Sequence, residues 1–252
     1  MVKSPATWSV IATLSLVSTT AQFVGEYEAT RTKSLLDMRA IVKDGFVSWK
    51  IESPSGSKVS SPSPSPLREV PGHYTNPVYR NYTVDYEDFD QFKNSVNTAF
   101  SAVKMQDGDL TYLRKYSALA FTAAFDGESL LFLRKALPPV TGKYAYLEGG
   151  KKSFALVVII SSTSITLKIR CGPNTDAKEF TNVKVDQRTN IQYLPDKDAY
   201  ARFIHKVVGT CSRPDLPTSA SPTLFVFSPV PNTLYVQLDA DQSGTFTLKK
   251  VE

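Results

Sequence analysis

The chain has 252 residues, of which 42% are hydrophobic and 11% aromatic. That composition is enough to build a sizeable core and excludes a wholly disordered chain. The formal net charge is +5, and the basic residues include short pairs scattered along the chain, whereas a dedicated nucleic-acid binder concentrates such residues on one stripe or arm. Weak contact with RNA or an anionic surface therefore stays open as a partner hypothesis.

The N-terminus has two interpretations. Lys3 precedes an apolar stretch at residues 8–17, and residues 19–21 could form the small-residue cleavage site of a signal peptide. The same stretch also alternates between apolar and smaller polar residues, which favours a retained strand. Nothing elsewhere approaches the roughly 20 apolar residues that a membrane-spanning helix needs, so no membrane span is expected.

A hairpin is predicted at residues 34–52, because two alternating apolar runs flank Asp44 and Gly45. Residues 53–66 then read SPSGSKVSSPSPSP, a composition typical of an exposed, semi-extended linker. The chain is therefore expected to divide into an N-terminal β segment or arm at 1–52, a linker at 53–66 and a main domain at 67–252.

The main domain is expected to contain two helices. Apolar residues at helical spacing follow Asp88, a plausible N-cap, as far as Val103. A second helix is predicted after Asp196, with Gly209 as its stop signal. Between them, residues 119–133 around an Asp-Gly pair read as a hairpin, although the alanines of 110–124 also permit a helix.

The remaining apolar runs predict strands at 154–160, 165–169, 224–227, 234–238 and 246–248. The first of these is expected at the centre of the protein with both faces buried, because it is continuously apolar. About nine to eleven strands without regular β-α-β alternation favour an antiparallel β-sandwich of jelly-roll type, with about two helices and an N-terminal β arm or hairpin.

No catalytic, cofactor-binding or metal-ligating residue can be assigned from the sequence. The phosphate-loop, dinucleotide, zinc-protease and serine-hydrolase motifs are all absent. The only cysteines, Cys171 and Cys211, could form one disulfide or remain buried thiols. Of the two histidines, His205 reads as a helix-surface residue, and His73 lies in a loop without a recognisable nucleophile near it.

Three local motifs have both a structural and a functional interpretation. An acidic cluster at 85–90 is better explained by carboxylates gathering at a helix N-terminus than by a glycosidase site. The DADQSG run at 239–244 resembles half of a calcium loop, but Lys250 stands where the twelfth-position glutamate should be, which favours a polar turn. Asn81 begins an N-glycosylation sequon that matters only in a secreted chain.

Two functions are consistent with these observations. The β-rich body and the missing catalytic motifs favour a non-enzymatic subunit of a self-assembling shell or lattice, such as a viral capsid protein. Its partners would be other subunits, bound through the N-terminal arm, and it would be located in the virion. The alternative is a secreted or cell-surface β-rich binding protein whose residues 1–21 are a cleaved signal peptide. A hydrolase using the acidic cluster is a weaker third hypothesis.

Overall fold

The structure is a computed structural model that describes residues 23–31, 33–71, 79–148, 153–211, 213, 216–239 and 245–251. The described residues form two nine-stranded antiparallel sheets and two α-helices. The first sheet closes into a barrel, and the second curls into a half-barrel. The N-terminal stretch at 8–17, predicted to be a retained strand or part of a signal peptide, and the possible cleavage site at 19–21 lie outside the described residues.

The barrel contains the N-terminal half of the chain. Its strands are β1 (Gly25–Arg31), β2 (Leu36–Lys43), β3 (Phe46–Glu52), β4 (Lys58–Ser60), β5 (Ser65–Glu69), β6 (Arg80–Val84), β7 (Tyr112–Tyr116), β8 (Ala120–Phe125) and β9 (Glu128–Arg134). Most neighbours along the chain pair with one another, β4 and β5 each pair with β3, and β1 pairs with β9 to close the ring. Helix α1 (Phe89–Ala99) lies in the β6–β7 connection.

Aromatic side chains fill the inside of this barrel. The rings of Phe121 and Phe132 stack with centroids 4.9 Å apart, and Trp49 meets Phe132 edge to face at 5.4 Å. Phe92 and Val96 of α1 join the same buried cluster. Small closed barrels are just wide enough for their own side chains, and here those side chains form the core.

The half-barrel contains the C-terminal half. Its strands are β10 (Gly142–Glu148), β11 (Phe154–Ile160), β12 (Ser164–Cys171), β13 (Asn174–Thr181), β14 (Lys184–Val185), β15 (Gln192–Tyr193), β16 (Phe225–Phe227), β17 (Thr233–Gln237) and β18 (Thr245–Lys250). The sheet runs from β13 to β14, with β10 paired to β18 in the middle. Helix α2 (Lys197–Thr210) packs on the inner face through Tyr200, Phe203, Ile204 and Val207.

A disulfide fixes α2 to the half-barrel. Cys171 ends β12 and Cys211 caps the C-terminus of α2, with their Cα atoms 5.6 Å apart. Of the two alternatives that the sequence left open, the structure has the bridge. Gly209 does not stop the helix as predicted, because α2 continues to Thr210 and ends at the bridged cysteine.

The barrel and the half-barrel pack against each other. Their seam contains a third apolar cluster, with Leu119 and Ala136 from the barrel side and Ile191 and Phe227 from the half-barrel. Backbone hydrogen bonds join the two sides, including one from the Ala136 amide to the Thr189 carbonyl at 2.8 Å. The seam is therefore built from side-chain packing together with backbone pairing.

The predicted fold class is confirmed at the level of a mainly β, antiparallel protein with two helices. A jelly-roll sandwich is not confirmed, because the first sheet closes on itself and the second curls around α2. Both predicted Asp-Gly hairpins are present, with positive φ at Asp44, Gly45, Asp126 and Gly127. The competing helix at 110–124 is wrong, since β7 and most of β8 lie there.

Strand pairing joins residues of the predicted arm, linker and main domain in one sheet. Residues 25–52 form β1, β2 and β3, which pair with β9 and β5 in one closed sheet. The segment 53–66 contributes β4 and the start of β5, and the amide of Leu67 donates to the carbonyl of Gly45. The two packed units meet along the chain near residue 137, between β9 and β10.

Candidate ligand groove at the seam

A groove of about 350 Å³ opens along the seam between the two sheets. Its walls are mainly apolar, and its lining residues are Leu133, Asp186, Thr189, Ile191, Tyr193, Leu194, Pro195, Lys197, Thr223 and Phe225. Ligand sites commonly have volumes of about 300–1,000 Å³, apolar walls and a few polar groups, and they often lie between domains. The groove has these properties.

The two main walls of the groove are formed by side chains that point away from the sheet interiors, because side chains alternate between the two faces of a strand. Phe132 points into the barrel, so its neighbour Leu133 points outward to the seam. Tyr193 and Phe225 are direct cross-strand partners in β15 and β16, and both face away from the half-barrel core. Tyr193 remains 38% exposed, so this wall is open to solvent and accessible to a ligand.

A tight turn before β15 shapes the floor. The Asp186 carboxylate accepts hydrogen bonds from the amides of Arg188 and Thr189 and from the Thr189 hydroxyl at 2.7–3.0 Å. Burial raises the pKa of the Asp186 carboxyl, but the Thr189 and Arg188 hydrogen bonds together outweigh it and hold this pKa below its usual value. Asp186 therefore fixes the turn and is already engaged by protein groups.

Lys197 is the cation at the rim. It is the first residue of α2 and is exposed, while Asp196 caps the helix by accepting from the Ala199 amide at 2.9 Å. Among the described residues Lys197 makes no ion pair. The groove thus combines apolar walls with one available positive charge, an arrangement that suits an amphipathic anion.

An ionic network holds the seam next to this turn. Glu28, with a side chain only 6% exposed, contacts Lys135 at 2.9 Å, Arg39 at 3.3 Å and Arg188 at 3.4 Å. Arg188 also reaches Asp37 at 3.1 Å and the Ala29 carbonyl at 2.9 Å. Because Arg188 belongs to the half-barrel and the other groups to the barrel side, these contacts fix the relative position of the groove walls.

Arg134 closes one end of the barrel beside the seam. Its guanidinium donates to the carbonyls of Ala118 and Val24 at 2.6 and 2.8 Å and to the Tyr27 hydroxyl at 3.0 Å. It also lies 5.9 Å from the ring centroid of Tyr235 in the half-barrel. Burial raises the pKa of Tyr27, and the positive charge of Arg134 opposes that shift. The Arg134 guanidinium therefore has protein oxygens as its hydrogen-bond acceptors, and its role is structural.

The acidic cluster is spread over structural contacts. Asp88 caps α1 by accepting from the Gln91 amide at 3.1 Å, which confirms it as the predicted N-cap. Asp85 pairs with Arg68 at 2.5 Å and Asp90 pairs with Lys93 at 3.0 Å. These three carboxylates are exposed, and each is held by a different protein group.

The remaining candidates are placed as follows. His205 is exposed on α2, as predicted, with its Nε2 2.9 Å from the Ser219 carbonyl. His73 lies outside the described residues, as do positions 240–244 of the DADQSG run. The described Asp239 is buried and accepts from the Ser219 hydroxyl at 2.6 Å. Across the described part of the chain, no group of three or more histidine, cysteine or acidic residues could hold a metal ion.

Asn81 lies on the outside of the barrel beside a shallow cleft of about 670 Å³, which Tyr112, Arg114, Lys115 and Thr122 also line. Its side-chain oxygen accepts from the Lys115 amide at 2.9 Å. Cross-strand neighbours therefore hold the sequon asparagine where the β6–β7 register shifts, opposite the extra residue of β7.

The seam groove was not predicted from the sequence. Tyr193, Leu194 and Pro195 precede a recognisable helix start, but nothing local indicates that Leu133 lies opposite them. Comparison with known proteins gives no further guide: no family model, no curated protein and no solved structure matches the chain. Of the helices in the described ranges, neither is long and apolar enough to cross a membrane.

Proposed function

We propose that this chain is a secreted or cell-surface binding protein that holds a small amphipathic anion in the seam groove. The observation that carries the proposal is the open, apolar groove beside Lys197, between two units whose interiors are filled by their own side chains. Apolar walls would bury the body of the ligand, and the lysine would pair with its charge.

The disulfide supports the extracellular part of the proposal. Both cysteines of the chain are in the bridge, and such bonds persist mainly in oxidising compartments. The intact mass of protein isolated from its source tests this part. We expect a chain shortened by about residues 1–21 that gains the mass of two hydrogens on reduction. A full-length chain with two free thiols would contradict it.

Ligand binding can be tested by fluorescence titration with 8-anilinonaphthalene-1-sulfonate, which combines aromatic rings with one sulfonate, and by competition with dodecanoate. We expect saturable binding. Lys197→Gln should weaken it by about two- to fivefold, the range of an exposed ion pair. Phe225→Ser should weaken it by roughly tenfold or more through lost apolar contact.

Lys43→Gln is the matched control, because Lys43 is an exposed lysine at the end of β2 that does not line the groove. It should bind the probe as the unmodified protein does. Probe binding that is absent, or that is insensitive to both groove variants, would refute the groove as the ligand site.

The assembly-subunit hypothesis is a second proposal, favoured by one feature of the half-barrel. Its terminal strand β13 has eight residues and pairs on one side only, with β12, within the described part of the chain. Such an edge can pair with another chain. Sedimentation analysis tests the proposal: a large symmetric assembly would support it, and a monomer across the accessible concentrations would contradict it.

A further inference from the structure

The outer face of the half-barrel carries an apolar strip along β10 and β11. Its side chains are Ala145, Leu147, Ala155, Val157 and Ile159. Cross-strand pairing joins Leu147 to Ala155 and Ala145 to Val157, so the strip is continuous. The predicted burial of both faces of β11 holds at Ala155, which is 6% exposed, and is wrong at Ile159, which is 42% exposed. On the neighbouring β10, Leu147 is 69% exposed.

Basic residues flank the strip on both sides. On β12, Arg170 is the direct partner of Ala155, and Lys168 is the partner of Val157. On the opposite side, Lys249 of β18 is the partner of Ala145, and Lys143 lies at the end of β10 beside Ile159. All four are exposed, and none forms an ion pair with a carboxylate in the described residues. Among the described residues of β13, Glu179 lies on this face, separated from Ile159 by Thr166 of β12.

We propose that this face binds the surface of an anionic phospholipid bilayer. Leu147 and Ile159 would insert at the level of the headgroups, and the flanking lysines and arginine would contact lipid phosphates. Apolar side chains between basic ones are the arrangement by which peripheral proteins combine insertion with electrostatic attraction. The proposal concerns a different surface from the seam groove and does not depend on it.

Two features of the strip favour a bilayer over other partners. Strand β11 is paired along its whole length with β10 and β12, and β10 also pairs with β18 at Tyr144 and Ala145, so the strip offers an added strand little edge to join. The strip contains no aromatic side chain on which the bases of single-stranded RNA could stack. The strip combines aliphatic side chains, which the apolar part of a bilayer can accommodate, with positive charges, which anionic headgroups attract.

Flotation with vesicles tests the proposal. Full-length protein is mixed with vesicles of pure phosphatidylcholine or of phosphatidylcholine containing 30% phosphatidylserine, at low and at high salt. We expect binding only to the anionic vesicles, weakened by salt. Lys168→Gln with Arg170→Gln should reduce partitioning by about 30-fold, at about 1 kcal/mol for each charge near the membrane. Leu147→Ser should reduce it by roughly tenfold through lost apolar burial.

The matched control is Arg114→Gln with Lys115→Gln, which removes two exposed charges from β7 of the barrel. It should bind anionic vesicles nearly as well as the unmodified protein. Equal losses in the control and the strip variant would overturn the proposal, because attraction would then follow net charge alone. It would also be overturned by absent vesicle binding, or by binding to single-stranded RNA instead that depends on Lys168 and Arg170.

Discussion

The disulfide between β12 and α2 allows a stability prediction whose size follows from the structure. Replacing Cys171 and Cys211 together by alanine removes a bridge with a sequence separation of 40. By the chain-entropy relation, a bridge that closes such a loop lowers the entropy of the unfolded chain by about 13 cal/mol/K. Removing the bridge should therefore lower the free energy of unfolding by about 4 kcal/mol at 25 °C. Cys211 is also buried at the end of α2, so the variant loses some packing as well.

Thermal unfolding followed by circular dichroism measures this effect. In a protein of this size 1 kcal/mol corresponds to about 2–4 °C, so the midpoint should fall by about 8–16 °C. A reductant should lower the midpoint of the unmodified protein by a similar amount and leave that of the variant unchanged. Equal midpoints for the two proteins without reductant, or two titratable thiols in the native protein, would refute the reasoning.

Three further predictions concern single side chains. Asp88→Ala removes the cap of α1 and should lower the free energy of unfolding by about 1 kcal/mol, measured by urea denaturation. Gly25→Ala places a methyl group against the buried guanidinium of Arg134 and should cost about 1–3 kcal/mol in the same assay; an unchanged midpoint would contradict that contact. The pKa of the Asp186 carboxyl is lower in the folded than in the unfolded protein. The ionised carboxylate therefore stabilises the fold above the unfolded pKa of about 3.9, and this contribution is lost as the pH falls through the folded pKa. Asp186→Asn should therefore flatten the decline in stability below about pH 4, and an unchanged slope would count against it.

Local sequence signals predicted the parts of the fold that depend on few residues. Asp44 with Gly45 and Asp126 with Gly127 formed the expected hairpins, because positive φ at both turn positions is a local requirement. The two helix starts were equally local, since Asp88 and Asp196 each accept from an amide three residues later.

The strands inside the predicted linker could not be recognised in this way. Ser65–Glu69 reads SPLRE, which lacks the alternation of a half-buried strand, yet it pairs with β3 and β6. Its position is determined by closure of the barrel rather than by its own composition. The same limit applies to the groove, because Leu133 and Phe225 meet only through packing of two separate sheets.

The sequence by itself determined the secondary-structure class, both Asp-Gly turns and the faces of the helices, because hydrophobic period and turn chemistry act over a few residues. The tertiary structure decided that β1 pairs with β9 to make a barrel, that the second sheet stays open around α2, and that Cys171 reaches Cys211. Alternating strands are compatible with a sandwich, a barrel or a half-barrel. Only the long-range pairing of strand edges distinguishes these folds, and that pairing also created the seam groove and the exposed strip on β10 and β11.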